Sequence, residues 1–156
     1  MKILHLLSQT HLTGPEVYVA ALCRKQVADG HECFIVSDTL SVKTDANYIP
    51  MAIHNRSLVN RIKNIYKLVA LCRRENIQLI NAHSRAACWV ANIVSRIAGV
   101  AYVSTIHGRQ SKRAAKRKVS VYGRHIIVVC EHLHSHARDE LNIQNADIQV
   151  IRNGFD

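Results

Sequence analysis

Short apolar runs alternate with helix-period segments along the whole chain, and little lies between them. The runs cover residues 2–8, 32–37, 48–53, 78–82, 101–106, 125–129 and 148–151. Residues 17–28, 57–74, 86–98 and 131–141 read as helices. In the second of these, Leu58, Ile62, Ile65, Tyr66, Val69 and Cys72 recur at the spacing of a buried helical face. In the first, Val17, Ala20, Ala21, Val27 and Ala28 form the stripe, and Gly30 stops the helix. Residues 38–47 are a polar loop, and Pro50 makes the third strand weak. Strand–helix alternation means βαβ units, and strands apolar on both faces mean a parallel sheet covered on both sides. The expected fold is α/β: a single doubly wound, Rossmann-like domain of about seven mostly parallel strands. Such sheets bind ligands outside the carboxyl ends of their strands. The segments to inspect are therefore 8–16, 83–85, 107–109 and 130–132.

A chain of 156 residues is one domain's worth. Its 48% hydrophobic and 21% charged content, with two prolines, argues against disorder. Five cysteines, an odd number at wide spacing with no CxxC pair, do not make a secreted disulfide framework. Cys23, Cys33, Cys72, Cys88 and Cys130 suit a reducing cytosol, four of them as small hydrophobes in apolar runs. The first eight residues are too short for a signal peptide, and no window approaches a membrane span of about 18 apolar residues. A cytoplasmic protein is expected, peripheral at most at the inner face of the membrane.

Charge is distributed unevenly. Between Ala46 and Cys130 stand fifteen Lys and Arg against one acid, Glu75, for a segment charge of +14; the rest of the chain carries −4. Such a field attracts polyanions: nucleic acid, an anionic membrane or a phosphorylated substrate. Its densest part holds Arg109, Lys112, Arg113, Lys116, Arg117 and Lys118. As a helix it would present Lys112, Arg113, Lys116 and Arg117 together, as a solvated basic face or a grip on a membrane-borne acceptor. The run holds no aromatic residue for base stacking, and the strand content disfavours a helix-turn-helix, so no nucleic-acid partner is expected.

The first loop, 8–16, contains Thr13, Gly14, Pro15 and Glu16. Pro15 suits a first helical turn, and Gly14 lets a ligand approach backbone amides at a helix N-terminus, where a phosphate would sit. The same residues also fit an ordinary βα turn. GxGxxG and GxxxxGK[ST] are absent, which removes the dinucleotide and P-loop readings at the motif level. His83 and His107 each end a strand on the expected active edge. There a histidine can bond a sugar hydroxyl, act as a base or simply close the strand. No GxSxG elbow supports a Ser-His-Asp hydrolase. Cys130, His132, His134 and His136 resemble a metal cluster, but HExxH is missing and His134 falls on another face, so surface histidines are the better account.

Taken together, these pieces resemble the N-terminal domain of a GT-B glycosyltransferase of family 4, the large retaining family. The strand at residues 2–7, Thr13-Gly14-Pro15-Glu16 and Asp29-Gly30-His31-Glu32 are similar to its opening. Ile80-Asn81-Ala82-His83-Ser84-Arg85, Ser104-Thr105-Ile106-His107-Gly108, Val128-Val129-Cys130-Glu131 and Val150-Ile151-Arg152-Asn153-Gly154 follow in the family's order. Thr13 replaces the first glycine of the family's pair, and Cys130 replaces its serine. The resemblance implies residues 1–156 as the acceptor-binding half of an enzyme that moves a sugar from a nucleotide-sugar to a glycan or lipid-linked acceptor of the cell-surface polysaccharide type. A C-terminal donor-nucleotide domain, in cis or in trans, would supply the rest, and this half alone would be inactive. Gly14, with Thr13, would hold the donor diphosphate, and His107 would contact the donor sugar as the catalytic-side residue. His83, Arg85 and Arg109 would line the acceptor cleft, and no metal or other cofactor would be needed. The alternative is a non-catalytic α/β module with a basic membrane- or nucleic-acid-facing surface.

Overall fold

The computed structural model describes residues 1–111 and 120–154. Seven strands form one sheet: β1 (Lys2–Leu6), β2 (Glu32–Ser37), β3 (Asn47–Pro50), β4 (Leu79–Ala82), β5 (Ala101–Ile106), β6 (His125–Val128) and β7 (Asp147–Val150). Their order is β3-β2-β1-β4-β5-β6-β7, and every pairing is parallel. This is the expected doubly wound, Rossmann-like sheet. The chain leaves β1 toward β2 and β3, then returns to add β4 on the other side. The switch point therefore lies between β1 and β4, where such sheets open a ligand crevice.

Helices cover both faces, which is why the strands could be apolar throughout. α1 (Gly14–Ala28) covers a smaller cluster of Leu7, Val19, Cys23, Cys33 and Ile35. α2 (Leu58–Glu75), α3 (Arg85–Ala98) and α4 (Glu131–Ser135) bury Leu68, Leu71, Val90, Val94 and Leu133 in the larger cluster, with Leu4, Leu6, Val36 and Ile80 beneath. Ser57 and Ser84 cap α2 and α3 by accepting the backbone N–H of Asn60 and Ala87. Asn76 and Gly99 end the same helices in the left-handed conformation.

Four local expectations change. α1 begins at Gly14, after Thr13 in extended conformation, and buries Glu16, Val19, Ala20 and Cys23, while Val17, Ala21 and Ala28 stay exposed. Residues 17–23 are apolar nearly all round, so the sheet, not periodicity, chose the buried face. In α2, Val69 and Cys72 are buried as expected, but Leu58, Ile62 and Tyr66 are 73%, 59% and 78% exposed. The buried set runs from Asn64 to Cys72, so the first turns of the helix lie beyond the surface it packs on. β3 ends at Pro50, and the N–H of Met51 makes the last bond to β2, to Ser37 O. The helix expected over 131–141 is α4 followed by one π-helical turn, His136–Glu140.

Candidate active-site edge

Three histidines form a row at the switch point. His5 lies in β1, paired with Asn81 of β4, and His83 and His107 follow β4 and β5 directly. Side chains alternate along a strand, so His5, His83 and His107 share the α1 side of the sheet. His5 Nε2 is 2.9 Å from Gln26 Oε1, and His5 Nδ1 is 3.0 Å from His83 Nε2. His83 Nδ1 is in turn 3.0 Å from His107 Nε2. Tyr18, from the second turn of α1, meets the His107 ring edge-on at 4.8 Å. Beside the row, Thr105 Oγ1 donates to Asn81 Oδ1 at 2.9 Å. His5 and His83 are buried, and His107 reaches the surface in part.

Burial keeps this row neutral. It lowers His5 to about 4, against the opposing bond to Gln26. It lowers His107 to about 4 as well. His83 falls well below the usual imidazole range, through burial and then through the charges of His5 and His107.

The α1 N-terminus borders the same edge. Gly14 is exposed, and a Cβ there would meet nothing within 4 Å. Thr13 makes no capping bond; its Oγ1 is buried with no hydrogen-bond partner among the described residues. Ser8 Oγ and Ser84 Oγ, 2.6 Å apart, tie the loop after β1 to the start of α3. Glu16 is buried, and its Oε1 accepts the backbone N–H groups of Ser41 and Val42. That carboxylate fastens the loop between β2 and β3 to the first turn of α1.

The other sequence candidates sit around this edge. Arg85 opens α3 and is half-buried; its charge acts on buried Tyr122, on the opposite side of the sheet from the histidine row. Arg109 is exposed and pairs with Glu140 at 2.6 Å. The backbone N–H of Gln110 donates to His136 Nε2 at 3.0 Å, so the π turn holds the loop after His107 at two points. His136 is thus buried, unlike the surface residue expected, whereas His132 is exposed. Cys130 occupies the N-cap of α4 without a side-chain bond. Lys112, Arg113, Lys116, Arg117 and Lys118 lie outside the described residues.

Sequence reading missed Gln26, His5 and Tyr18, and it gave Glu16 a place in the first loop but no role of its own. The signal available for His5 was an ionisable residue in the middle of the apolar stretch 3–7. His5, Cys23 and Cys33 also gather within 4.8 Å of one another, all buried. Cys33 donates its thiol hydrogen to Gln26 Oε1 at 3.2 Å, which joins this cluster to the histidine row.

Solved structures of other proteins share this fold. A glycosyltransferase from Rickettsia africae superposes with a TM-score of 0.83 at 18% identity, covering 97% of this chain and 42% of that one. Anabaena Alr3699/HepE, solved in complex with UDP-glucose, superposes at 0.75 with 17% identity, over 100% of this chain and 44% of its own. An Escherichia coli UDP-Gal:alpha-D-GlcNAc-diphosphoundecaprenol alpha-1,3-galactosyltransferase is 26% identical over 133 residues, 78% of this chain and 34% of that protein. The chain therefore spans about a third to under half the length of these relatives. The model of Glycosyltransferase Family 4 matches residues 12–156, nearly the whole chain, and the chain belongs to that family.

Proposed function

We propose that this chain is the acceptor-side half of a transferase that moves a sugar from a nucleotide-sugar to a lipid-linked glycan acceptor. The observation that carries this is the histidine row opening at the switch point beside the α1 N-terminus, in a chain of this family. Gly14 offers its N–H, and Thr13 its unpartnered hydroxyl, to the donor diphosphate at the positive end of the helix. His107 meets the donor sugar, while His83 holds His107 in place and Arg85 and Arg109 stand at the rim. Helix dipoles and basic residues stabilise the leaving diphosphate, so the reaction needs no metal. UDP is the favoured nucleotide, because the galactosyltransferase relative uses UDP-Gal and HepE was solved with UDP-glucose. The relatives' greater length supports a second, donor-binding domain, in cis or in trans.

The acceptor arrives from an anionic bilayer. Leu58, Val59, Ile62 and Tyr66 lie exposed on the first turns of α2, and Lys63 and Lys67 flank them on the same helix. No acid occurs between Asp45 and Glu75. Each helix start in a parallel sheet lies at the carboxyl edge of the strands, so this apolar and basic face is on the same edge as His107. The headgroup charge and apolar interface of an anionic bilayer match it. Among the described residues no helix is long and apolar enough to cross a membrane, which fits a peripheral, cytoplasmic-face enzyme.

The test uses vesicles of anionic lipid carrying a polyisoprenyl-diphosphate sugar, with UDP-galactose and UDP-glucose as donors. The chain alone should bind the vesicles in a salt-dependent way and turn over neither donor. Without a second domain, only a few exposed hydrogen bonds of about 1 kcal/mol each oppose the entropy of association. A donor domain supplied in cis or in trans should restore transfer. Donor turnover by the chain alone overturns the half-site reading, and vesicle binding indifferent to salt overturns the membrane reading.

A further inference from the structure

We infer that Gln26 sets the tautomer of His107 through a one-way chain of hydrogen bonds, Gln26–His5–His83–His107, which leaves Nδ1 of His107 as an acceptor for a sugar hydroxyl. Gln26, His5 and His83 are then positioning residues. The meaning for catalysis rests on the proposed sugar contact of His107; the tautomer itself does not.

A neutral imidazole has one N–H and one bare nitrogen, so each ring in a chain must accept on one side and donate on the other. Direction is set at the buried end. Cys33 directs its thiol hydrogen at Gln26 Oε1 over 3.2 Å, and His5 Nε2 approaches the same oxygen at 2.9 Å. An oxygen can receive both hydrogens. With the Cys33 thiol hydrogen on Oε1, the amide nitrogen of Gln26 faces away from His5. His5 therefore donates from Nε2 and accepts at Nδ1. His83, 3.0 Å away, donates from Nε2 and accepts at Nδ1. His107, another 3.0 Å on, donates from Nε2, and its remaining nitrogen carries a lone pair. Burial holds all three rings below their usual protonation range, the neutral condition that the relay requires. A ring so fixed accepts a hydroxyl hydrogen at Nδ1 and gives none to an oxygen there, which separates sugar binding from oxyanion stabilisation. Gln26 sits on the far side of His5 from His107, so its influence there has no route by direct contact.

The experiment is a long-range 1H–15N correlation spectrum of the 156-residue chain at pH 7 with 15N-labelled histidine, the rings assigned by single His→Asn replacements. The expected result is protonated Nε2 and unprotonated Nδ1 on His5, His83 and His107. Gln26→Leu removes the terminal acceptor and should convert His107 from one tautomer to a mixture of both. Gln26→Glu, which as a carboxylate can only accept, should keep the Nε2–H form. A wild-type His107 that carries its proton on Nδ1 or on both nitrogens overturns the inference, and so does a His107 signal that Gln26→Leu leaves unchanged. If Gln26→Leu does not fold, the wild-type and Gln26→Glu spectra decide. Because no donor is present, a positive spectrum with no UDP-sugar transfer even after a donor domain is supplied would keep the relay and discard the proposed function.

Discussion

His83 Nδ1 and His107 Nε2 lie 3.0 Å apart, so the ends of β4 and β5 are joined by a bond that neither ring can make while both are protonated. The same holds for His5 and His83 one step deeper. Two buried rings and one partly exposed ring thus share a neutral arrangement, which acid disrupts.

Stability should therefore fall with pH between about 6.5 and 4. His5 titrates near 4 in the fold and near 6.5 when unfolded, so across that window the unfolded chain binds more protons. The contribution is full above 6.5, is lost as pH drops toward 4, and changes no further below. For fully buried His5 it amounts to roughly 3 kcal/mol. Urea unfolding at pH 7, 5.5 and 4.5 should show the loss, and His5→Asn should flatten it relative to wild type. Equal pH dependence in both proteins would rule this out.

Gly123→Ala should cost about 2 kcal/mol or more. Its φ is +77°, and an added Cβ would lie 2.8 Å from Cδ1 and Cε1 of Tyr102. That ring cannot swing away freely, because Tyr102 donates its hydroxyl hydrogen to Val121 O at 2.9 Å. Gly30→Ala is the control: φ is +85°, nothing stands within 4 Å, and only the conformational cost of about 1 kcal/mol remains. Thermal denaturation that ranks the two equally would contradict the clash.

Glu16→Ala should loosen the loop between β2 and β3. It removes the acceptor of the Ser41 and Val42 amides, at a cost of about 1–3 kcal/mol for two hydrogen bonds to a charged group. Hydrogen exchange at those two amides should speed up far more than exchange in β1. Unchanged protection there would show that the carboxylate does not hold the loop.

Replacing Leu58, Ile62 and Tyr66 together with Ser should weaken anionic-vesicle binding at least about tenfold, since each apolar side chain buried in a bilayer is worth about 1.5 kcal/mol or more. Exposed positions change folding stability by only about 0.5 kcal/mol each, so the melting temperature should hold. Exchanging Lys112, Arg113, Lys116 and Arg117 for Gln should mainly reduce the salt dependence. Co-sedimentation at low and high salt reads both. Undiminished binding by the α2 variant would remove that face from the membrane reading.

The sheet was legible because its cause is local. Apolar runs of strand length between helix-period segments admit few arrangements, and Gly30 marked the end of the first helix by its own chemistry. His83 and His107 were found for a similar reason: in a parallel sheet, position just after a strand already means position at the active edge. The faces of α1 and α2 were not legible. Leu58 and Ile62 satisfy the helical period as well as Leu68 and Val69 do, and only the reach of the underlying sheet decides which pair is covered.

What the sequence determined by itself is the alternation, the strand ends and the +14 stretch, since each depends on residues close together in the chain. The tertiary structure alone decided that His5, Gln26, His83 and His107 are one hydrogen-bonded chain. Their separations along the sequence are 21, 78 and 24 residues, and hydrogen bonds of 2.9–3.0 Å exist only once β1, α1, β4 and β5 have packed in register. Hydrogen bonding is directional and short-ranged, so a linear pattern can nominate its members but cannot join them.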